Sequence, residues 1–108
     1  MTIGQTFQSV IRNYANFSGR SPRSEYWWWQ LIIAIPIIIA IEIGDSAMSI
    51  VFAICVLPTI SLAWRRAHDC GLPGFLMLIP LVREAIALLP SNEGINKFGP
   101  PAPPQVGF

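Results

Sequence analysis

The side chains best suited to chemistry in this sequence fall in two short strings. One, Arg65-Arg66-Ala67-His68-Asp69, is the densest charge cluster of the chain; the other runs from Gly19-Arg20 to Arg23-Ser24-Glu25. Arg65, His68 and Asp69 stand at i, i+3 and i+4 and so share a helix face, with Arg66 beside Asp69 at i+3. Arginines grouped in this way bind phosphate through paired N–H donors. If the two strings converge, Arg20, Arg23, Arg65 and Arg66 with Glu25, His68 and Asp69 form one basic, partly screened pocket, suited to a phosphate or an anionic lipid head group. The plainer expectation is that the arginines set membrane topology while Glu25 and Asp69 pair with them to hold helices together. His68 beside Asp69 has the makings of a general base. It is the only histidine, no metal or nucleophile is assigned to it, and Ser61 and Cys70 are not convincing partners. The chain is therefore expected not to be an enzyme, with lipid head-group chemistry through His68 and Asp69 as the alternative.

The elements that must position these strings read as membrane elements. Hydrophobic residues make up 53% of the 108 and charged residues 12%, about half the charge of an ordinary soluble chain, and the apolar residues are gathered in blocks. A net charge of +1 gives no pull toward nucleic acid. Residues 3–17 carry Ile3, Phe7, Val10, Ile11, Tyr14 and Phe17 at helical spacing, with Gln5, Gln8, Ser9, Arg12 and Asn13 elsewhere on the wheel, which predicts an amphipathic helix lying on the membrane surface. Residues 18–24 form a turn, with Ser21 as N-cap and Pro22 in the first helical position, and Glu25 then suits the helix dipole.

The first span runs from about 26 to 43, behind an aromatic belt of Tyr26 and Trp27 to Trp29; Pro36 within it is tolerable where neighbouring groups take up the freed carbonyl. Glu42, Gly44, Asp45 and Ser46 make an acidic turn, and the second span runs from about 47 to 64 with Pro58 inside. The third block, 73–89, is interrupted by Arg83 and Glu84. A charge at mid-span costs about 2.5–3.5 kcal/mol, and the apolar run Gly74 to Val82 covers only about 14 Å as a helix, about half a hydrocarbon core. The block is expected to span with Arg83 and Glu84 as an intramembrane ion pair, the alternative being a re-entrant turn at Pro80 to Glu84. The resulting architecture is an all-α helical bundle with three transmembrane helices in one membrane domain, residues 1–90. Residues 91–108 follow as a Pro/Gly-rich tail, extended or disordered because Pro100, Pro101, Pro103 and Pro104 preclude a helix.

Basic flanks mark the cytoplasmic side. Arg12, Arg20 and Arg23 precede the first span and Arg65 and Arg66 follow the second, while the turn between them carries only Glu42 and Asp45. The N-terminus is therefore expected in the cytoplasm, and the C-terminus outside if the third block spans or cytoplasmic if it returns. Cys55 and Cys70 would lie about 22 Å apart along one helix, too far for a disulfide. One His and two distant Cys give no metal site, and no cofactor is expected.

Four motifs now stand in order: Phe17-Ser18-Gly19-Arg20 with Arg23-Ser24-Glu25-Tyr26-Trp27; the doubled Arg65-Arg66 followed by His68-Asp69; Gly74-Phe75 with Ile79-Pro80; and Asn96, Phe98, Gly99 and Pro101. Interleaved with spans from about residue 14 to 101, they resemble a bacterial inner-membrane family of unknown function, number 805. The resemblance implies a small multi-pass protein of the cytoplasmic membrane and no established activity. Arg83-Glu84 departs from the family pattern, in which the apolar run continues after Ile-Pro. The functional expectation is a structural or interaction component in contact with the bilayer, whose basic cytoplasmic cluster binds anionic lipid or phosphate, alone, as a homo-oligomer or in a larger membrane complex. A subunit of an oligomeric channel or transporter, with Arg83 and Glu84 marking the path, is the alternative.

Overall fold

The computed structural model describes residues 2–89 and 94–100. It is all-α: α1 (Ile3–Arg12), α2 (Arg23–Ile43), α3 (Asp45–Asp69), a 3-10 helix (Gly74–Leu78) and α4 (Val82–Leu88). Two of these, α2 with 21 residues and α3 with 25, are long and apolar enough to cross a membrane.

They form a hairpin whose only linker is Gly44, which caps the end of α2 and the start of α3. Its φ of 131° lies where a side chain is strained, so glycine permits a one-residue reversal. The acidic turn is tighter than expected, since Glu42 still belongs to α2 and Asp45 and Ser46 already to α3. Outward positions Leu31, Ile35, Ile38, Ile50, Phe52 and Ile54 are exposed, an apolar surface suited to lipid.

Inside α3, Pro58 cannot donate to the carbonyl four residues back, that of Ile54. The Tyr14 hydroxyl donates to that oxygen. One turn on, the buried Ser61 hydroxyl reaches the Tyr14 carbonyl at 3.0 Å, with the Pro58 carbonyl at 3.1 Å. The segment after α1 thus seals the break that proline makes.

The first helix is shorter than the expected 3–17. A capping box starts it, Gln5 N–H to Thr2 Oγ1 at 3.2 Å and Thr2 N–H to Gln5 Oε1 at 2.9 Å. It ends at Arg12 because the following asparagines offer the backbone other partners. The Asn13 amide bonds the Ser9 carbonyl at 2.8 Å, and Asn16 Oδ1 accepts the Ser18 N–H at 3.0 Å. Leaving the helix frees Tyr14 for Ile54 and Phe17 to pack edge-on against Trp64 at 5.6 Å. The expected apolar face is also divided. Val10 is buried with Trp29, Ile33 and Leu62, whereas Ile3, Phe7 and Ile11 remain about half exposed on another face.

α2 begins one residue later than expected. Pro22 is its N-cap and no side chain caps it; Ser21 instead gives its backbone N–H to the Arg65 carbonyl at 3.1 Å, a tertiary bond in place of a local one.

Residues 73–89 do not form the single spanning helix expected of them. Gly74–Leu78 is 3-10, the chain turns through Ile79 to Leu81, and α4 has seven residues. Pro80 interrupts the helical run, and Leu81 has the only positive φ among the described non-glycine residues, 72°. At about 1.5 Å per residue α4 is about 10 Å long, a third of a hydrocarbon core. Both pieces fold onto the charged end of the hairpin, where Met77, Ile86 and Ala87 join Tyr26, Ala63 and Ala67 in one buried cluster.

Within the expected tail, residues 91–93 lie outside the described residues and the next seven differ from the expectation. Residues 94–100 are no loose end but a tight turn, closed by paired backbone bonds between Asn96 and Gly99 and held against α3 by contacts described below. Residues 101–108, including the expected prolines 101, 103 and 104, lie outside the described residues.

Candidate functional site

The end of α3 opposite Gly44 collects all the residues singled out in the two charged strings. Asp69 stands at the centre. Its carboxylate accepts from Arg20 Nε at 2.8 Å and from Arg66 Nη1 at 2.6 Å, with every one of these side chains fully buried. Arg66 is the i, i+3 partner that helical spacing anticipates; Arg20 arrives from 49 residues away. On the α1 side, Glu25 is 1% exposed and accepts from Arg65 Nη1 at 3.2 Å and from the Ser9 hydroxyl at 2.5 Å. Arg65, His68 and Asp69 share a helix face but not a partner, for Arg65 reaches α2 and His68 reaches Gly19.

The same arginines tie down backbone. Arg20 Nη1 donates to the carbonyls of Gly94 at 2.6 Å and Gly99 at 3.3 Å. α4 ends in carbonyls that have no partner within so short a helix, and three side chains supply donors. Trp27 Nε1 takes Ala87 at 3.0 Å, Arg23 Nη1 takes Leu88 at 3.1 Å, and Arg66 Nη2 takes Leu89. Positive charge at a helix C-terminus is also favoured by the dipole. Arg23 is thus a cap for α4, half-buried and outside the ion pairs given above.

His68 belongs to the C-terminal turn more than to the ion pairs. Nδ1 lies 3.1 Å from the Gly19 carbonyl, the ring stacks on Phe98 at 4.0 Å with 6° between planes, and Asn96 donates its amide to the His68 carbonyl at 3.0 Å. Asn96 and Phe98 were not expected as site residues; the signal was their place in the fourth motif. Trp27 had the same kind of signal in the first motif, whereas Ser9, Tyr14 and Ser21 carried none, because their partners are remote in sequence. Cys70 follows directly, its thiol 3.7 Å from the Ile86 carbonyl, and burial pushes that thiol up. Cys55 and Cys70 are both free.

Three guanidiniums, of Arg20, Arg65 and Arg66, are buried here against two carboxylates. Burying ions costs several kcal/mol each, offset only by close pairing and further hydrogen bonds. For Arg65 the offset is incomplete. The residue is 3% exposed, yet among the described residues Nε and Nη2 have no partner, and neither has the hydroxyl of neighbouring Ser21.

Arg83 and Glu84 stand apart. They pair at 3.1 Å with 42% and 49% of their side chains exposed. They line a cleft with Tyr26 and Trp64, which puts them at the charged end of the hairpin, not half-way along it. Glu84 also accepts the Leu81 N–H at 3.0 Å, and the bond from Arg83 holds its carboxyl below the ordinary range. Among the described residues no three His, Cys, Asp or Glu side chains are grouped to hold a metal.

Comparison with known proteins finds relatives among bacterial inner membrane proteins. The inner membrane protein YhaI of Escherichia coli K12 is 33% identical over 110 residues, covering 88% of this chain and 92% of that one. The inner membrane protein YhaH of the same strain is 28% identical over 115 residues, covering 87% and 93%. No solved structure matches. The match to a protein family extends over residues 14–100, from Tyr14 at the proline break to the C-terminal turn: the chain belongs to the DUF805 family of proteins of unknown function.

Proposed function

We propose that the protein is a two-span structural component of the bacterial cytoplasmic membrane, in which the buried charge cluster fastens both chain ends to the cytoplasmic end of a helical hairpin. One observation carries this reading. None of the seven Lys and Arg residues lies at the Gly44 end, which has Glu42 and Asp45, while Arg20, Arg23, Arg65, Arg66, Arg83 and Lys97 gather at the other. That asymmetry is the one that orients spans. Relatives named as inner membrane proteins support the compartment. With residues 94–100 bonded to Arg20 and His68, the block 73–89 begins and ends on one side and dips at most partway. α1 is the interfacial helix of this arrangement, its exposed Ile3, Phe7 and Ile11 facing the acyl boundary. The cluster works as a clamp because a misplaced segment would leave a buried ion unpaired.

The test is topology. In a Cys55→Ser, Cys70→Ser background, single cysteines replacing the exposed Asp45 and Lys97 are treated with a membrane-impermeant maleimide on intact spheroplasts. Position 45 is expected to label from outside and position 97 only after permeabilisation. Labelling of both from the same side, or of 97 from outside, refutes the arrangement.

A second reading, an anion site within the cluster, is favoured by the donors of Arg65 and Ser21 that have no partner among the described residues. It predicts that inorganic phosphate raises the thermal midpoint of the detergent-solubilised protein by mass action, and that Arg65→Lys abolishes the rise. A channel subunit is supported less, since the half-exposed Arg83–Glu84 pair puts no charge at mid-depth. Association into homo-oligomers or a larger complex would use the outward apolar faces of α2 and α3.

A further inference from the structure

Between α2 and α3 runs a groove with two halves of opposite character. The half near the charged end has a volume of about 280 Å³ and is bordered by Tyr26, Gln30, Trp64, Arg83 and Glu84. The other, about 240 Å³, is bordered by Ile33, Ile37, Val51, Phe52 and Cys55. Thr59 and Ile60 line both, so the two adjoin. Sequence periodicity explains the length. Tyr26, Gln30, Ile33 and Ile37 form one face of α2, and Met48, Val51, Cys55 and Thr59 one face of α3. From Tyr26 to Ile37 the groove follows about 16 Å of helix, close to one leaflet of a hydrocarbon core about 30 Å thick.

We propose that this groove binds one phospholipid whose head group carries both a phosphate and an ammonium, phosphoethanolamine in chemistry, with the phosphate on Arg83, the ammonium on Glu84 and one acyl chain along the apolar half. The inference rests on the membrane reading above. Charge complementarity selects the occupant. Arg83 and Glu84 are adjacent, paired and half exposed, so the mouth offers one charge of each sign and both can be reached. A purely anionic head group would satisfy Arg83 and meet Glu84 unfavourably, whereas a zwitterion satisfies both. Tyr26 and Trp64 border the groove just below, where amphipathic rings suit the head-group boundary. A partner helix about 10 Å across does not fit an apolar half of 240 Å³; a hydrocarbon chain does.

The experiment uses the full chain, purified in mild detergent and offered equal amounts of phosphatidylethanolamine and phosphatidylglycerol, with bound lipid counted by native mass spectrometry. One phosphatidylethanolamine per chain is expected, preferred about threefold, the size of effect a half-exposed charge pair produces. Glu84→Gln leaves Arg83 alone and shifts the preference to phosphatidylglycerol; Arg83→Gln loses retention of both; Val51→Phe fills the apolar half and reduces retention without altering preference. Both charged residues are exposed, so the first two variants are expected to keep the wild-type thermal midpoint. Equal retention of the two lipids by the wild type, or an unchanged preference in Glu84→Gln, overturns the proposal. Carbonate washing of native membranes separates the two readings. A chain that stays with the membrane yet shows no lipid preference refutes the groove alone, and a chain released by carbonate refutes the membrane reading.

Discussion

Replacing Asp69 by Asn isolates what burial does to an ion pair. The carboxylate is fully buried and accepts from Arg20 at 2.8 Å and Arg66 at 2.6 Å. Asn has nearly the same shape but is neutral, and its amide nitrogen turns a donor toward one of the guanidiniums. Removing one partner of a buried pair costs about 3–5 kcal/mol, because the other charges stay buried without compensation. Asn keeps one acceptor, which points to the lower end of that range. Arg83→Gln is the control: its pair has similar chemistry at 3.1 Å but is 42% and 49% exposed, and such pairs contribute at most about 1 kcal/mol. At about 4–8 °C per kcal/mol for a chain near this size, Asp69→Asn is expected to lower the thermal midpoint in a defined detergent by more than about 10 °C. The assay is loss of helical circular dichroism on heating. In the double mutant with Arg20→Met the losses should be clearly less than additive, since both remove one contact. A midpoint for Asp69→Asn no further from wild type than that of Arg83→Gln, or strict additivity with Arg20→Met, would refute the reasoning.

Gly74→Ala is expected to cost about 1–3 kcal/mol, because a Cβ there would lie 2.2 Å from the Trp64 indole; the same substitution in a Trp64→Leu background should cost far less, read by thermal midpoint. Tyr14→Phe leaves the Ile54 carbonyl without its hydroxyl donor and should lose about 1–3 kcal/mol, whereas in Pro58→Ala, where the backbone N–H returns, it should be nearly silent. Cys70, whose thiol burial pushes up, should react with a maleimide at neutral pH many times more slowly in the folded protein than after denaturation in SDS, and its rate should keep rising with pH beyond the ordinary thiol range. Equal rates folded and unfolded would contradict its packing against Ile86.

The sequence by itself determined those features that depend on neighbours along the chain. The two long helices follow from the length of their apolar runs and the Arg66–Asp69 pair from i, i+3 spacing, whereas Tyr26 and Trp29, expected in an aromatic belt, are buried in the core. The charge asymmetry across Gly44 is likewise a property of order alone. What tertiary structure decided are contacts between remote positions, for which no local pattern exists. Arg20 meets Asp69 across 49 residues and Gly99 across 79, and those bonds turn a chain expected to trail away into a folded strap. The block 73–89 had the composition of a span, yet Pro80 breaks it, and Arg23, Trp27 and Arg66 supply the donors that let a seven-residue helix end there. Val10 and Ile11 are equally apolar in sequence; only the position of α2 and α3 decides that one is buried and the other exposed. Periodicity records which residues share a face, whereas burial depends on what that face meets.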